Sequence, residues 1–170
     1  ISSGVVEIYS TGSTFAALKD DGSVVCWGNN DNFGSGSSSL PANSNIEAFY
    51  NTGNAFAVIK TDGSVYTWGG DGEGGDSSSV ASQLTSGVVS ISQTQEAFAA
   101  LKSDGSVVTW GDGTYGDGGF GGDSSSVASQ LTSGVVSISS SDNVFIAIKD
   151  DGSLVGWGNQ VYGGNLDGIQ

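Results

Sequence analysis

Acidic side chains are the only groups in this sequence numerous enough to do chemistry. Eighteen Asp and Glu stand against four Lys, with no His, for a net charge of -14. Without a His there is no ordinary base to activate a nucleophile, and the one thiol, Cys26, falls inside an apolar run that reads as a strand. The same two facts rule out ordinary zinc sites. A lone cysteine forms no internal disulfide, and Cys26 is read as a small strand residue. The Gly-Asp-Gly runs are no phosphate cradle, because acids sit within them and no Lys or Arg sits beside them.

What remains is oxygen chemistry on loops. Asp71, Glu73 and Asp76 lie close together in one Gly-rich stretch, and Asp112, Asp117 and Asp123 in another. Carboxylates on flexible loops are what Ca²⁺ takes, and the second set is the candidate calcium site. Its spacing is not that of an EF-hand loop, and turn-forming Asp residues give the competing reading. Tyr115, Phe120 and Tyr162 stand in loops beside Asp and Asn, a mixture that can stack on a sugar and hydrogen-bond it. The competing reading is that these rings pin their loops to the strands below. Two carboxyls would suffice for a glycosidase, but nothing singles out a pair. No catalytic residue and no cofactor other than calcium are expected. The negative charge disfavours nucleic acid and anionic membrane surfaces. No apolar stretch approaches the ~20 residues that span a bilayer.

The elements that carry these loops are repeats. Four segments align: Phe15 to Gly28 (FAALKDDGSVVCWG), Phe56 to Gly69 (FAVIKTDGSVYTWG), Phe98 to Gly111 (FAALKSDGSVVTWG) and Phe145 to Gly158 (FIAIKDDGSLVGWG). Trp27, Trp68, Trp110 and Trp157 are spaced by 41, 42 and 47 residues, the longest gap reflecting an enlarged loop at 112–123. A period of this length signals a repeat architecture. Approximate repeats are 1–43, 44–84, 85–131 and 132–170, forming one domain. Each copy reads as a short apolar lead-in, a second strand ending in Lys, an Asp-Gly turn, and a third strand ending in Trp-Gly. Val-Ala-Ser-Gln-Leu (80–84 and 127–131) reads as a short fourth strand. Runs such as FAALK are apolar at nearly every position, so both sheet faces must be covered. With no helices to cover them, sheets must stack on sheets around an axis. The fold class is all-β, a β-propeller-type repeat of four blades, either closed as a ring or part of a larger propeller. The four Trp residues are expected to be core wedges, and Lys19, Lys60, Lys102 and Lys149 solvated strand ends.

The pattern VVSIS…AFAALKSDGSVVTWG…YGDGGFGGD, carried through all four copies, resembles the repeat of the regulator of chromosome condensation family. The resemblance implies β-propeller blades, usually seven to a ring. The namesake is an exchange factor that also contacts nucleosomes through basic residues, and a plant relative senses ultraviolet-B with Trp clusters packed on Arg. This chain has no Arg and one Trp per repeat, so neither activity carries over and no site residue is transferred. Its acidic, Gly- and Ser-rich version is similar to arrays in algae and other aquatic microbes.

Residues 74–92 and 121–139 are identical in sequence. Verbatim copies do not suit an asymmetric active site. They suit stacking or multivalent binding. The expectation is a noncatalytic domain for protein–protein contact or assembly, with carbohydrate binding or calcium-dependent adhesion as the alternative. The composition leans towards a secreted or cell-surface setting. The chain opens at Ile1, contains no Met, and its end from Gly163 reads as the start of another lead-in strand, which together suggest a processed product or a fragment.

Overall fold

The computed structural model describes residues 3–29, 39–113 and 119–167. Their strands form four antiparallel sheets, one per repeat. The first holds β1 (Val5–Ser10), β2 (Thr14–Lys19), β3 (Val24–Gly28) and the two-residue β4 (Ser39–Leu40). The second holds β5 (Ile46–Asn51), β6 (Ala55–Lys60) and β7 (Val65–Gly69). The third holds β8 (Val88–Gln93), β9 (Ala97–Lys102) and β10 (Val107–Gly111). The fourth holds β11 (Val135–Ser140), β12 (Val144–Lys149) and β13 (Leu154–Gly158).

Local chemistry fixes the hairpins. In each Asp-Gly turn the glycine takes a positive φ, 78° at Gly105. The Lys102 amide donates to Ser106 O at 2.9 Å and the Gly105 amide to Lys102 O at 2.9 Å. This closes a three-residue loop with a glycine bulge. The preceding Asp104 accepts from the Ser106 amide at 3.0 Å, and Asp21, Asp62 and Asp151 do the same for Ser23, Ser64 and Ser153. Hydrogen bonds from these serines hold all four carboxyls below their ordinary range. Each lead-in strand also carries a register shift, at Val5/Glu7, Ile46/Ala48, Val88/Ser90 and Val135/Ser137. Such bulges bend and twist a strand.

The expected fourth strands at 80–84 and 127–131 are not formed. Ser78–Gln83 and Ser125–Gln130 are 3-10 helices instead. Asp76 and Asp123 accept the amides of Ser78 and Ser125, each at 2.8 Å, and start a turn where a Ser run has little strand preference. Only the carbonyls of Leu84 and Leu131 reach the sheets, accepting from the Val65 and Val107 amides at 2.9 Å. In the first repeat β4 pairs with β3, Leu40 opposite Val24.

The lead-in strands β1, β5, β8 and β11 are neighbours in that order, so successive sheets stand side by side as blades. The turns after them are stitched together by backbone bonds. The Gly12 amide donates to Gly53 O at 2.7 Å, Gly53 to Gln95 O at 2.7 Å, and Gln95 to Asp142 O at 2.9 Å. The core lies between blades. Phe98 and Trp110 of the third blade stack at 5.3 Å and bury themselves against Ala55, Ala57, Ile59 and Leu84 of the second. Phe145 and Trp157 pack likewise on Ala97, Ala99, Leu101 and Leu131. Phe56 and Trp68 pack on Ala16, Val24 and Leu40. Burying one such aromatic contributes about 1.5–3 kcal/mol. A glycine makes the seat: a Cβ at Gly74 or Gly121 would stand 2.6 Å from the ring of Phe98 or Phe145. The indole nitrogens of Trp110 and Trp157 donate to the carbonyls of these same glycines at 3.0 and 3.1 Å.

Three of the four Trp residues are therefore the core wedges expected, with Trp68, Trp110 and Trp157 at 1–3% exposure. Trp27 departs from that expectation. It is 39% exposed and its partner Phe15 is 44% exposed, since no other described blade packs on them. Among the described residues no hydrogen bond joins the first blade to the fourth. The four blades thus form an open arc and not a closed four-bladed ring. The expected lead-in strand after Gly163 is not seen either: Gln160–Tyr162 is a 3-10 helix and Gly163–Gly164 a turn.

Candidate functional site

One face of the arc carries the turns between first and second strands together with the loops that follow Trp-Gly. Their backbones are joined in every blade. Asn29 donates to Ser13 O, Gly70 to Asn54 O, Asp112 to Glu96 O and Asn159 to Asn143 O, at 2.9–3.0 Å. Two positions per blade are thereby held side by side, and their side chains differ from blade to blade. Where the third blade meets its neighbours they line a recess of ≈ 800 Å³ with Glu73, Glu96, Asp112, Phe120, Asn143 and Asn159.

The recess is acidic. Burial first, and then the charges of Glu73 and Asp112, push the Glu96 carboxyl above the ordinary range. Glu73 accepts from Asn54 Nδ2 at 3.1 Å. The loops are pinned from below: Thr52 Oγ1 donates to Glu73 O at 2.9 Å and Thr94 Oγ1 to Phe120 O at 2.7 Å. Both threonines are buried and also accept a main-chain amide, from Ala55 and Ala97. Such a mouth can accept hydrogen bonds from hydroxyl or ammonium groups and repels phosphate and carboxylate.

Asp112 lines this recess, 9% exposed, while Asp123 is exposed, lines a different hollow, and uses Oδ1 to start a 3-10 helix. Asp117 and Tyr115 lie outside the described residues. Among the described residues no group of three or more acids and thiols could hold a metal ion. Phe120 packs partly against the core between the third and fourth blades, so it does pin its loop. Tyr162 is 68% exposed and lines another hollow, with Val144, Ile146 and Leu154. Phe120 and Tyr162 therefore do not share a surface.

The remaining side chains follow the plainer readings. Burial pushes the Cys26 thiol up to about 11, with the neighbouring Trp68 opposing the shift, so it stays protonated at neutral pH. Lys102 and Lys149 do not encircle an axis. They reach the last carbonyls of the 3-10 helices, Gln83 O at 2.9 Å and Gln130 O at 2.7 Å.

Residues 5–34 match the family model of the regulator of chromosome condensation (RCC1) repeat. The match covers the first blade, and the other three blades repeat its pattern. No curated protein matches the chain. Solved structures do. The ectodomain of the Physcomitrella patens receptor kinase CR4 is similar at 19% identity and a TM-score of 0.54, over 91% of this chain and 41% of its own. Prp20p from Saccharomyces cerevisiae is similar at 21% identity and a TM-score of 0.54, over 91% of this chain and 43% of its own. Human WBSCR16 is similar at 21% identity and a TM-score of 0.54, over 93% of this chain and 48% of its own. These likenesses establish the β-propeller fold, and the chain spans less than half of each of these three proteins.

Sequence reasoning missed Glu96, Asn143 and Asn159, because each looks like an ordinary turn residue. A signal was present in the alignment of the four copies. Two residues before Phe15, Phe56, Phe98 and Phe145, which recur in register, the copies read Ser13, Asn54, Glu96 and Asn143, and just after Trp-Gly they read Asn29, Gly70, Asp112 and Asn159. Positions that vary inside a strict repeat mark where the scaffold leaves side chains free to specialise.

Proposed function

We propose that this chain is a noncatalytic repeat domain that mediates protein–protein contact or structural assembly. The observation that carries the reading is the duplicated rim. The identical sequences 74–92 and 121–139 fold alike, with helix-entry Ser77 and Ser124 both at φ -105°, and present the same Ser-, Val- and Gln-bearing surface on adjacent blades. A surface offered twice at a fixed spacing gains avidity for a repeating or extended partner. Among proteins of this fold, yeast Prp20p binds Gsp1p and histones, and yeast RCC1 has been crystallised bound to Kap60. Those partners are not carried over, since the chain is too distant in sequence and has no Arg.

The acidic recess favours a second reading, a carbohydrate-binding or calcium-dependent adhesion module, because Phe120 stands there beside Glu96, Asn143 and Asn159. One experiment separates the two: a glycan screen of the whole chain in calcium and again in chelator. No reproducible sugar binding is expected in either condition. Binding abolished by Glu96→Gln or Asn143→Ala would replace the first reading with the second.

A further inference from the structure

The stretch that joins the first blade to the second departs from the other two linkers. Between Leu84 and Val88, and between Leu131 and Val135, three residues suffice, and the last of them is a glycine, Gly87 or Gly134, at φ 77°. Between Leu40 and Ile46 stand five residues, Pro41 to Asn45. The glycine is replaced there by Asn45 at φ 51°, and Asn43 lies at φ 60° just before it. Asn enters that region more readily than other L residues. The backbone role of the linker is kept. The Thr61 amide donates to Asn45 O at 2.8 Å, as the Ser103 amide does to Gly87 O. The tie to the preceding turn has moved. Val88 and Val135 donate to Gly63 O and Gly105 O at 3.0 Å, whereas in the first linker the Asn43 amide donates to Asp21 O at 2.7 Å.

An asparagine whose successor is small can lose its amide when the next main-chain nitrogen attacks Cγ, one reason Asn counts as thermolabile. Among the described residues two Asn precede a small unbranched residue, Asn43 before Ser44 and Asn54 before Ala55. Their surroundings differ. Asn54 Nδ2 donates to Glu73 Oε1 at 3.1 Å, its Oδ1 accepts from Ser13 Oγ at 3.1 Å, and the Ala55 amide donates to Thr52 Oγ1 at 3.0 Å. Every group the reaction needs is therefore held. Asn43 is exposed, and among the described residues neither its carboxamide nor the Ser44 amide makes a hydrogen bond. The Ser44 hydroxyl is engaged elsewhere, donating to Pro41 O at 2.7 Å. Both residues line a hollow of ≈ 320 Å³ together with Lys60 and Asp62.

We infer that Asn43 is a site of spontaneous deamidation, and that its conversion loosens the joint between the first and second blades. The Ser44 nitrogen forms a bond to Asn43 Cγ and gives up its proton, the Cγ–Nδ2 bond breaks, and ammonia leaves. Water then opens the five-membered imide. Opening at Cγ leaves aspartate. Opening at the main-chain carbonyl leaves isoaspartate, in which the chain continues through the former side chain. Either product brings a new carboxylate into a hollow that already holds Asp62. Isoaspartate also adds an atom to the main chain beside the amide that is bonded to Asp21 O. The linkers at 85–87 and 132–134 contain no Asn, so the other two joints are spared.

The test is incubation of the whole chain in warm, mildly alkaline buffer, followed by peptide mapping with fragmentation that separates aspartate from isoaspartate. The expected result is the mass gain of amide-to-acid exchange at Asn43, with isoaspartate present. The rate at Asn54 should be at least roughly tenfold lower, since its hydrogen bonds must break first. In chain unfolded by guanidinium the two rates should converge. Hydrogen exchange on the aged chain should show the amide at position 43 at least roughly tenfold less protected, with the Val88 and Val135 amides unchanged. No gain at Asn43, an Asn54 that reacts as fast in the folded chain, or a rate ratio that persists on unfolding would overturn the assignment. Unaltered exchange at position 43 in the aged chain would overturn the loosening.

Discussion

The first and third blades are built from nearly the same sequence, FAALKDDGSVVCWG and FAALKSDGSVVTWG, yet they bury it differently. Phe98 and Trp110 are 0% and 3% exposed, Phe15 and Trp27 44% and 39%. The strands, turns and aromatic stack are common to both. What differs is the neighbour. The third blade leans on a second blade that supplies a glycine seat, an indole acceptor and a bed of Ala, Ile and Leu. Among the described residues, no blade supplies these to the first. A repeat of this kind is therefore a half-interface, and its stability belongs to pairs of blades more than to single ones.

Paired substitutions test that statement, starting with the largest effect. Phe98→Ala should cost about 3–5 kcal/mol, as for a fully buried ring. Phe15→Ala in dilute chain should cost about 1 kcal/mol, since much of its ring already meets water. Denaturant titration of the two variants measures the gap, and equal losses would mean that blade neighbours do not set the stability.

Next in size are the seats. Gly121→Ala combines a positive-φ strain of about 1–2 kcal/mol with an overlap onto Phe145 costing about 1–3 kcal/mol more. Gly163→Ala carries only the strain, because among the described residues nothing lies within 4 Å of a Cβ there. Thermal melts of the two variants should therefore differ by the overlap alone, and indistinguishable melting temperatures would mean that the inner seats yield easily.

The smallest effect concerns the acidic face, where the third blade carries Glu96 and the first carries Ser13. Glu96 has a raised folded-state pKa, so its ionised form costs stability at neutral pH, and the cost is relieved as pH falls through that pKa. Glu96→Gln should stabilise the chain at pH 7 by on the order of a few tenths of a kcal/mol after solvent screening. The gain should shrink as pH is lowered into the carboxylate range. A gain independent of pH would assign the effect to packing and not to charge.

Much of the fold was legible in the sequence because its signals are local. The Asp-Gly turns, the apolar FAALK runs and the period of the four Trp residues each depend on neighbours within one repeat. The fourth strands at 80–84 and 127–131 were misread, since Val and Leu spaced along that stretch suit a strand and a short helix alike. The capping by Asp76 and Asp123 decided for the helix. The candidate site was less legible. Asp112, Asp117 and Asp123 look like a cluster along the chain, but Asp112 turns into the recess and Asp123 to the outer rim.

By itself the sequence determined the blade: where its three main strands run, which turns join them, and which Phe and Trp recur in register. These follow from backbone sterics and side-chain periodicity, which act over a few residues. Only the tertiary structure decided which halves meet. Residues as far apart as Gly74 and Trp110, or Glu73 and Glu96, come together through blade stacking, while no other described blade packs on Phe15 and Trp27. Burial is a property of the neighbour as much as of the residue, and four equivalent sequences acquire unequal environments among the described blades.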